Sequence, residues 1–198
     1  TAITITDPVS GQPTQGYVFY PSAQALHGTT AIGPYNVAAT PDAPAIAGAK
    51  PLVVISHGNG GSDLGHHDLA TWLASHGFVV ATLNHLGDYF RDTSKVGSIE
   101  VLAGRPVQVK ATITRLLDDP HWKTLIDPTR IGVAGFSAGG YIALMVAGAR
   151  LQLVRFVDFC QHYPQDHDVC GHAAGFKAKA ASQGKTVEQL LDGMTAQM

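Results

Sequence analysis

Three apolar runs stand out in the first three quarters of the chain. They are Pro51-Leu52-Val53-Val54-Ile55-Ser56, Phe78-Val79-Val80-Ala81-Thr82-Leu83 and Ile131-Gly132-Val133-Ala134-Gly135. Runs without polar alternation suit strands covered on both faces, as in a parallel sheet between helices. Between the runs the period changes. Residues 66–76 place Leu69, Ala70, Trp72 and Leu73 on one helical side, with Gly77 as the stop. A second helix is predicted to start near Arg105-Pro106, with the proline in the first turn. Val109, Ile113, Leu116 and Leu117 keep helical spacing, and Asp119-Pro120 ends it. Residues 138–149 read as a third helix. Upstream, Ile3 and Ile5, a Gly-Gln-Pro turn at 11–13 and Tyr17-Val18-Phe19-Tyr20 read as an antiparallel hairpin at a sheet edge. Residues 21–50, rich in Ala, Gly, Pro and Thr, read as a long connection. Strands alternating with helices predict an α/β fold, its sheet mostly parallel with helices on both faces.

After residue 150 no further buried strand is evident. Lys, Ala and Gln become frequent, and the stretch reads as mostly helical. The division is therefore 1–149, a sheet-bearing core, and 150–198, a helical cap or insertion. With 198 residues the chain suits one domain and a small appendage. A formal charge of −2 excludes a strongly basic nucleic-acid footprint. No apolar stretch approaches the ~20 residues of a transmembrane helix.

The densest chemical signal is Gly135-Phe136-Ser137-Ala138-Gly139, lying between a strand and a helix. That context is what a nucleophile elbow requires: a sharp turn with small neighbours that presents the Ser137 hydroxyl at a helix N-terminus. The alternative is a glycine-rich connector. A second loop, His57-Gly58-Asn59-Gly60-Gly61, follows the first buried run. It can turn a backbone N–H toward a developing oxyanion, which assigns the Asn59 and Ala138 N–H groups to an oxyanion hole, with Gly60 as a substitute for Asn59. The loop lacks the Lys-Ser/Thr ending of a phosphate-binding P-loop. His57 reads as a brace for the loop more readily than as a base. His85 and Asp88 follow the second run, so they fall at the same sheet edge as Ser137. With His57 and Gly60 they are candidates for lining a substrate pocket. The alternative for His85 and Asp88 is structural, a packed histidine and a turn cap. His66, His67, His121 and His162 are expected on surfaces, and no spacing argues for a metal.

Taken together, Pro51-Leu-Val-Val-Ile-Ser-His-Gly-Asn-Gly-Gly, Leu69-Ala-Thr-Trp-Leu-Ala-Ser-His-Gly-Phe-Val-Val, Leu83-Asn-His-Leu-Gly-Asp, Arg105-Pro106 and Asp127-Pro-Thr-Arg-Ile-Gly-Val-Ala-Gly-Phe-Ser-Ala-Gly-Gly resemble the α/β-hydrolases. Within that superfamily they are similar to the predicted dienelactone hydrolase and platelet-activating-factor acetylhydrolase-like group. Dienelactone hydrolases proper carry a cysteine nucleophile, and position 137 is serine. The resemblance implies ester hydrolysis by a Ser-His-Asp triad with no metal or organic cofactor. The segment holding Cys160 and Cys170 resembles the cap insertion of the same group.

An isolated pair, Cys160 and Cys170, in a chain that begins Thr1-Ala2-Ile3 suggests a disulfide in a secreted or periplasmic protein; two free thiols in a cytosolic protein are the alternative. The order expected in this fold is serine, acid, histidine. Downstream of Ser137 the acids are Asp158, Asp166, Asp168, Glu188 and Asp192, and the histidines His162, His167 and His172. No strand separates acid from base among them, so a complete triad is not expected here. The reading assigns acid, base and the last strands to a C-terminal fragment of the same precursor, held as a second chain. The expected substrate is a small hydrophobic ester. An amidase or peptidase of the same fold and a non-catalytic ligand-binding relative are the alternatives.

Overall fold

The computed structural model describes residues 1–150, 152–171 and 173–195. Residues up to Gly148 pack as one unit and those from Ala149 onward as a second.

In the first unit, β1 (Ala2–Thr6) and β2 (Pro13–Phe19) form the expected antiparallel hairpin. A short hairpin, β3 (Thr30–Ile32) and β4 (Tyr35–Val37), lies in the stretch read as plain connection. Its strands are too short to show a period, and its turn rests on Gly33 at φ 56°. β5 (Lys50–Ser56), β6 (Val79–Leu83) and β7 (Ile126–Gly135) are the three apolar runs. The sheet order is β1-β2-β6-β5-β7. β2 pairs antiparallel with β6, while β6, β5 and β7 run parallel. The fold is thus α/β, with a mostly parallel sheet.

Alternate side chains of β5 and β6 enter two cores. Leu52, Val54, Val79, Ala81 and Leu83 face α2 (Ile99–Asp118) and α3 (Ala138–Val146), with Val109, Leu116 and Ile142. Ile55 and Val80 enter the other core with Ala70 and Ala74 of α1 (His67–Ser75). Two covered faces explain why both strands read as unbroken apolar runs.

Three expectations need correction. α1 buries Ala70 and Ala74, whereas Leu69 and Trp72 are exposed, Trp72 stacking on His76 at 4.0 Å. Small residues let the helix lie close to the sheet, and the bulkier ones turn outward. α2 starts at Ile99, not at Arg105-Pro106. Ser98 caps it by accepting the Val101 N–H at 3.3 Å, and Pro106 lies inside it. An internal proline removes the N–H that would bond the carbonyl four residues earlier. That carbonyl, Leu102, instead accepts the Tyr141 hydroxyl of α3 at 3.3 Å. Finally, β7 is not fully buried: among the described strands it is the edge opposite β1, paired only with β5, and Gly132 and Gly135 are exposed.

The second unit is helical: α4 (Leu153–His162), α5 (His167–Cys170), α6 (Ala173–Ser182) and α7 (Val187–Thr195). α7 packs on α4 and α6 and buries Leu190. Cys160 and Cys170 form a disulfide joining α4 to α5, so the expected pairing is present. Among the described residues no helix is long and apolar enough to cross a membrane.

Candidate active site

β7 ends at Gly135, and the chain reverses into α3 through Ser137, whose φ of 53° and ψ of −118° lie outside ordinary L-residue space. The turn is this tight because its neighbours lack side chains. A Cβ on Gly135 would lie 2.1 Å from the Gly139 backbone, and one on Gly139 would lie 1.9 Å from the Ser56 carbonyl. The elbow therefore packs directly on the end of β5. Ser137 is exposed, and its hydroxyl has no hydrogen-bond partner among the described residues.

The loop after β5 runs against the elbow. A Cβ on Gly58 would lie 3.4 Å from the Ser137 Cβ. Neither the Asn59 nor the Ala138 N–H bonds an acceptor among the described residues. Gly60, named as a substitute donor, is committed elsewhere: its N–H donates to Asp88 Oδ1 at 2.8 Å.

The other residues singled out in the sequence are buried at this loop and after β6. His57, His85 and Asp88 are 2%, 0% and 0% exposed. They form a buried network instead of walls open to solvent. Asp88 Oδ2 pairs with the Arg105 guanidinium at 2.8 Å, and Arg105 also donates to the His57 carbonyl and to Ser56 Oγ. Arg105 comes from α2, and sequence reasoning missed it as a site residue.

The network fixes both imidazole tautomers. His57 Nε2 accepts the His85 backbone N–H at 3.3 Å, so Nδ1 carries the proton and donates to the Gly58 carbonyl at 2.7 Å. Gln108 uses its NH2 on Asp7 Oδ1 at 3.0 Å, so its Oε1 accepts the His85 Nδ1–H at 2.6 Å. His85 Nε2 is then left to accept from Ser56 Oγ at 2.9 Å. Burial, with minor help from the Arg105 charge, holds the His57 imidazolium down to a pKa of about 4. Burial, then Arg105 and His57, hold His85 well below the ordinary range. Burial lowers Arg105 to about 10 against the pull of Asp88, so at neutral pH it stays charged. Two neutral histidines around one ion pair make a brace for the loop, not a proton carrier.

His66 is partly buried, its ring 5.8 Å from Phe136 beside the elbow. His67 is also partly buried, edge-on to Tyr35, whereas His121 is exposed. Within the second unit, His162 Nδ1 bonds the Asp158 carbonyl at 2.8 Å and His167 is exposed. His172 and the Asp168 side chain lie outside the described residues.

Residues 36–172 match the family model of the dienelactone hydrolases. No curated protein matches the chain. Among solved structures, a ferulic acid esterase from Streptomyces cinnamoneus superposes with a TM-score of 0.61 at 23% identity, over 74% of this chain and 54% of the esterase. A puromycin-hydrolyzing peptidase of Mycobacterium tuberculosis superposes at 0.54 and 22% identity, over 80% of this chain and 23% of the peptidase. The likeness is one of fold, and the chain spans about half the esterase's length.

Proposed function

Because the chain belongs to the dienelactone hydrolase family, we propose that it is the nucleophile-bearing part of a serine esterase. Ser137 Oγ gives its proton to a general base and attacks the carbonyl of a small hydrophobic ester. The ester C–O bond breaks, the alcohol leaves with that proton, and water then hydrolyses the acyl-enzyme to the free acid and regenerates Ser137. The developing oxyanion is held by the Ala138 N–H at the N-terminus of α3 and the Asn59 N–H of the loop after β5. The carrying observation is the Ser137 backbone at φ 53°, with an unbonded, exposed hydroxyl beside a loop whose Asn59 N–H is also unbonded.

His57 is no candidate for the base, because both its nitrogens are engaged and burial keeps it neutral. Ser137 has no histidine partner among the described residues, so base and acid are assigned to polypeptide outside them. The comparisons lend no support to a separate second chain as their source. The disulfide supports, as part of the same proposal, a secreted or periplasmic location.

A fluorophosphonate probe should label wild type at Ser137 and leave Ser137→Ala unlabelled. On an aryl ester, Ser137→Ala should lower kcat by several orders of magnitude, since triad members act as a unit. Near-full activity in that variant would discard the reading. An anilide of the same acyl group separates esterase from amidase or peptidase.

A further inference from the structure

A cavity of about 350 Å³ opens where β2, β6 and the loop after β5 meet. That volume is at the small end of ligand sites and suits one ring-sized molecule. Its lining mixes polar side chains with aromatic and aliphatic ones. Asp63, 7% exposed, lines it beside Asn84, whose Oδ1 accepts the Asp63 backbone N–H at 2.9 Å. Tyr17, Tyr35, Phe90 and Arg91 line it as well, the Arg91 guanidinium 5.1 Å from the Phe90 ring centre. The role described for Ser137 uses none of these groups.

Their chemistry selects a ligand. Asp63 offers an acceptor, and Arg91 offers donors that no residue among those described occupies. The two charges balance, so neither a cation nor an anion is favoured. Burial holds the Asp63 carboxyl up at about 6, against nearby backbone N–H groups, Asn84 and Arg91; a donor from a ligand would stabilise its charged form. Aromatic faces stack against flat apolar surfaces such as the C–H face of a saturated ring. A phenol brings one polar group and would leave most of Asp63, Asn84 and Arg91 unmatched. We propose that this cavity binds a neutral, hydroxyl-rich ring, a single sugar residue, with Asp63 and Arg91 on its hydroxyls and the aromatic rings on its face.

The cavity is joined to the elbow's loop. Ser62 and Asp63 directly follow Gly61, the Phe90 N–H donates to the Gly61 carbonyl at 2.9 Å, and the Tyr35 hydroxyl bonds Ser62 Oγ at 2.9 Å. Two strand spacings, about 10 Å, separate the end of β6 from that of β7. A sugar there is either the far end of the ester being cleaved or a separate saccharide. Only the first of these rests on the esterase reading.

Amide NMR titration of the protein with free glucose, galactose, xylose and arabinose tests the site without any turnover. At least one sugar should shift the amides of Ser62, Asp63 and Asn84 at millimolar concentration. Asp63→Asn, which keeps size and shape, should weaken that binding tenfold or more. Arg91→Ala, at an exposed position, should weaken it severalfold with an unchanged spectrum elsewhere. Shifts with none of the sugars, or shifts indifferent to both variants, would overturn the proposal, as would binding of phenols or amines alone. A sugar ester compared with the methyl ester of the same acid then tells the sources apart. A loss of kcat/KM in Asp63→Asn confined to the sugar ester marks a substrate subsite, and equal rates mark a separate saccharide. If Ser137 fails to react with fluorophosphonate while sugars still bind, the esterase reading falls and the sugar site stands.

Discussion

Holding a side-chain-bearing residue at φ 53° and ψ −118° costs Ser137 on the order of 1–3 kcal/mol, and the fold tolerates it because glycines 135 and 139 admit the surrounding backbone. This much was legible, since the elbow is a local pattern bounded by a strand run and a helix run. Arg105 was not legible. Its partner Asp88 lies 17 residues away, and its position before a proline suggested only a helix start. The pair is 1% and 0% exposed, so its removal is asymmetric. Arg105→Met should destabilise by about 3–5 kcal/mol, because it strands a buried carboxylate. Adding Asp88→Asn to that variant should recover part of the loss, since asparagine still accepts the Gly60 N–H. Urea unfolding of the two single variants and the double variant measures this, and a double variant no more stable than Arg105→Met would refute it.

Among the elements, α2 departs furthest from its sequence pattern. A proline eight positions into a 20-residue helix ordinarily marks a boundary. The helix continues because a second helix replaces the missing bond: Tyr141 donates to the Leu102 carbonyl. No periodicity within α2 could reveal a partner on α3. Tyr141→Phe should therefore cost about 1 kcal/mol, the net worth of one partly buried hydrogen bond, read as a lowered urea midpoint with an unchanged slope. An unchanged midpoint would mean that water serves the carbonyl as well. The same distinction explains α1. Its span and glycine stop were legible, but its buried face was not, because Leu69 and Trp72 outrank Ala70 and Ala74 in hydrophobicity while close approach to the sheet selects the small residues.

For the molecule as a whole, the buried network links pH to stability. The unfolded chain takes up a proton on His57 near pH 6.5, whereas the folded chain does so only near 4. Stability is therefore lost as pH falls through that window, His57 alone contributing on the order of 3 kcal/mol. His85, also held neutral by burial, acts in the same sense. Asp63 opposes them, because the folded carboxyl, raised from 3.8 to about 6, keeps a proton that the unfolded chain has released. Two imidazoles outweigh one carboxyl, so the urea midpoint should drop between neutral pH and about pH 5. The drop should be steeper in Asp63→Asn; a flat or rising profile would contradict the sign. The sheet that carries this network also sets the order of events in folding. β2 has its hairpin mate β1 at once, but its second partner is far off: Tyr17 meets Thr82, 65 residues later. β5 meets β6 soon but reaches β7 only after α2 has been passed. During synthesis the first hairpin therefore waits alone, marginally stable, until β6 has left the ribosome. Refolding of such a non-local sheet belongs in the millisecond-to-second range and not the microsecond range.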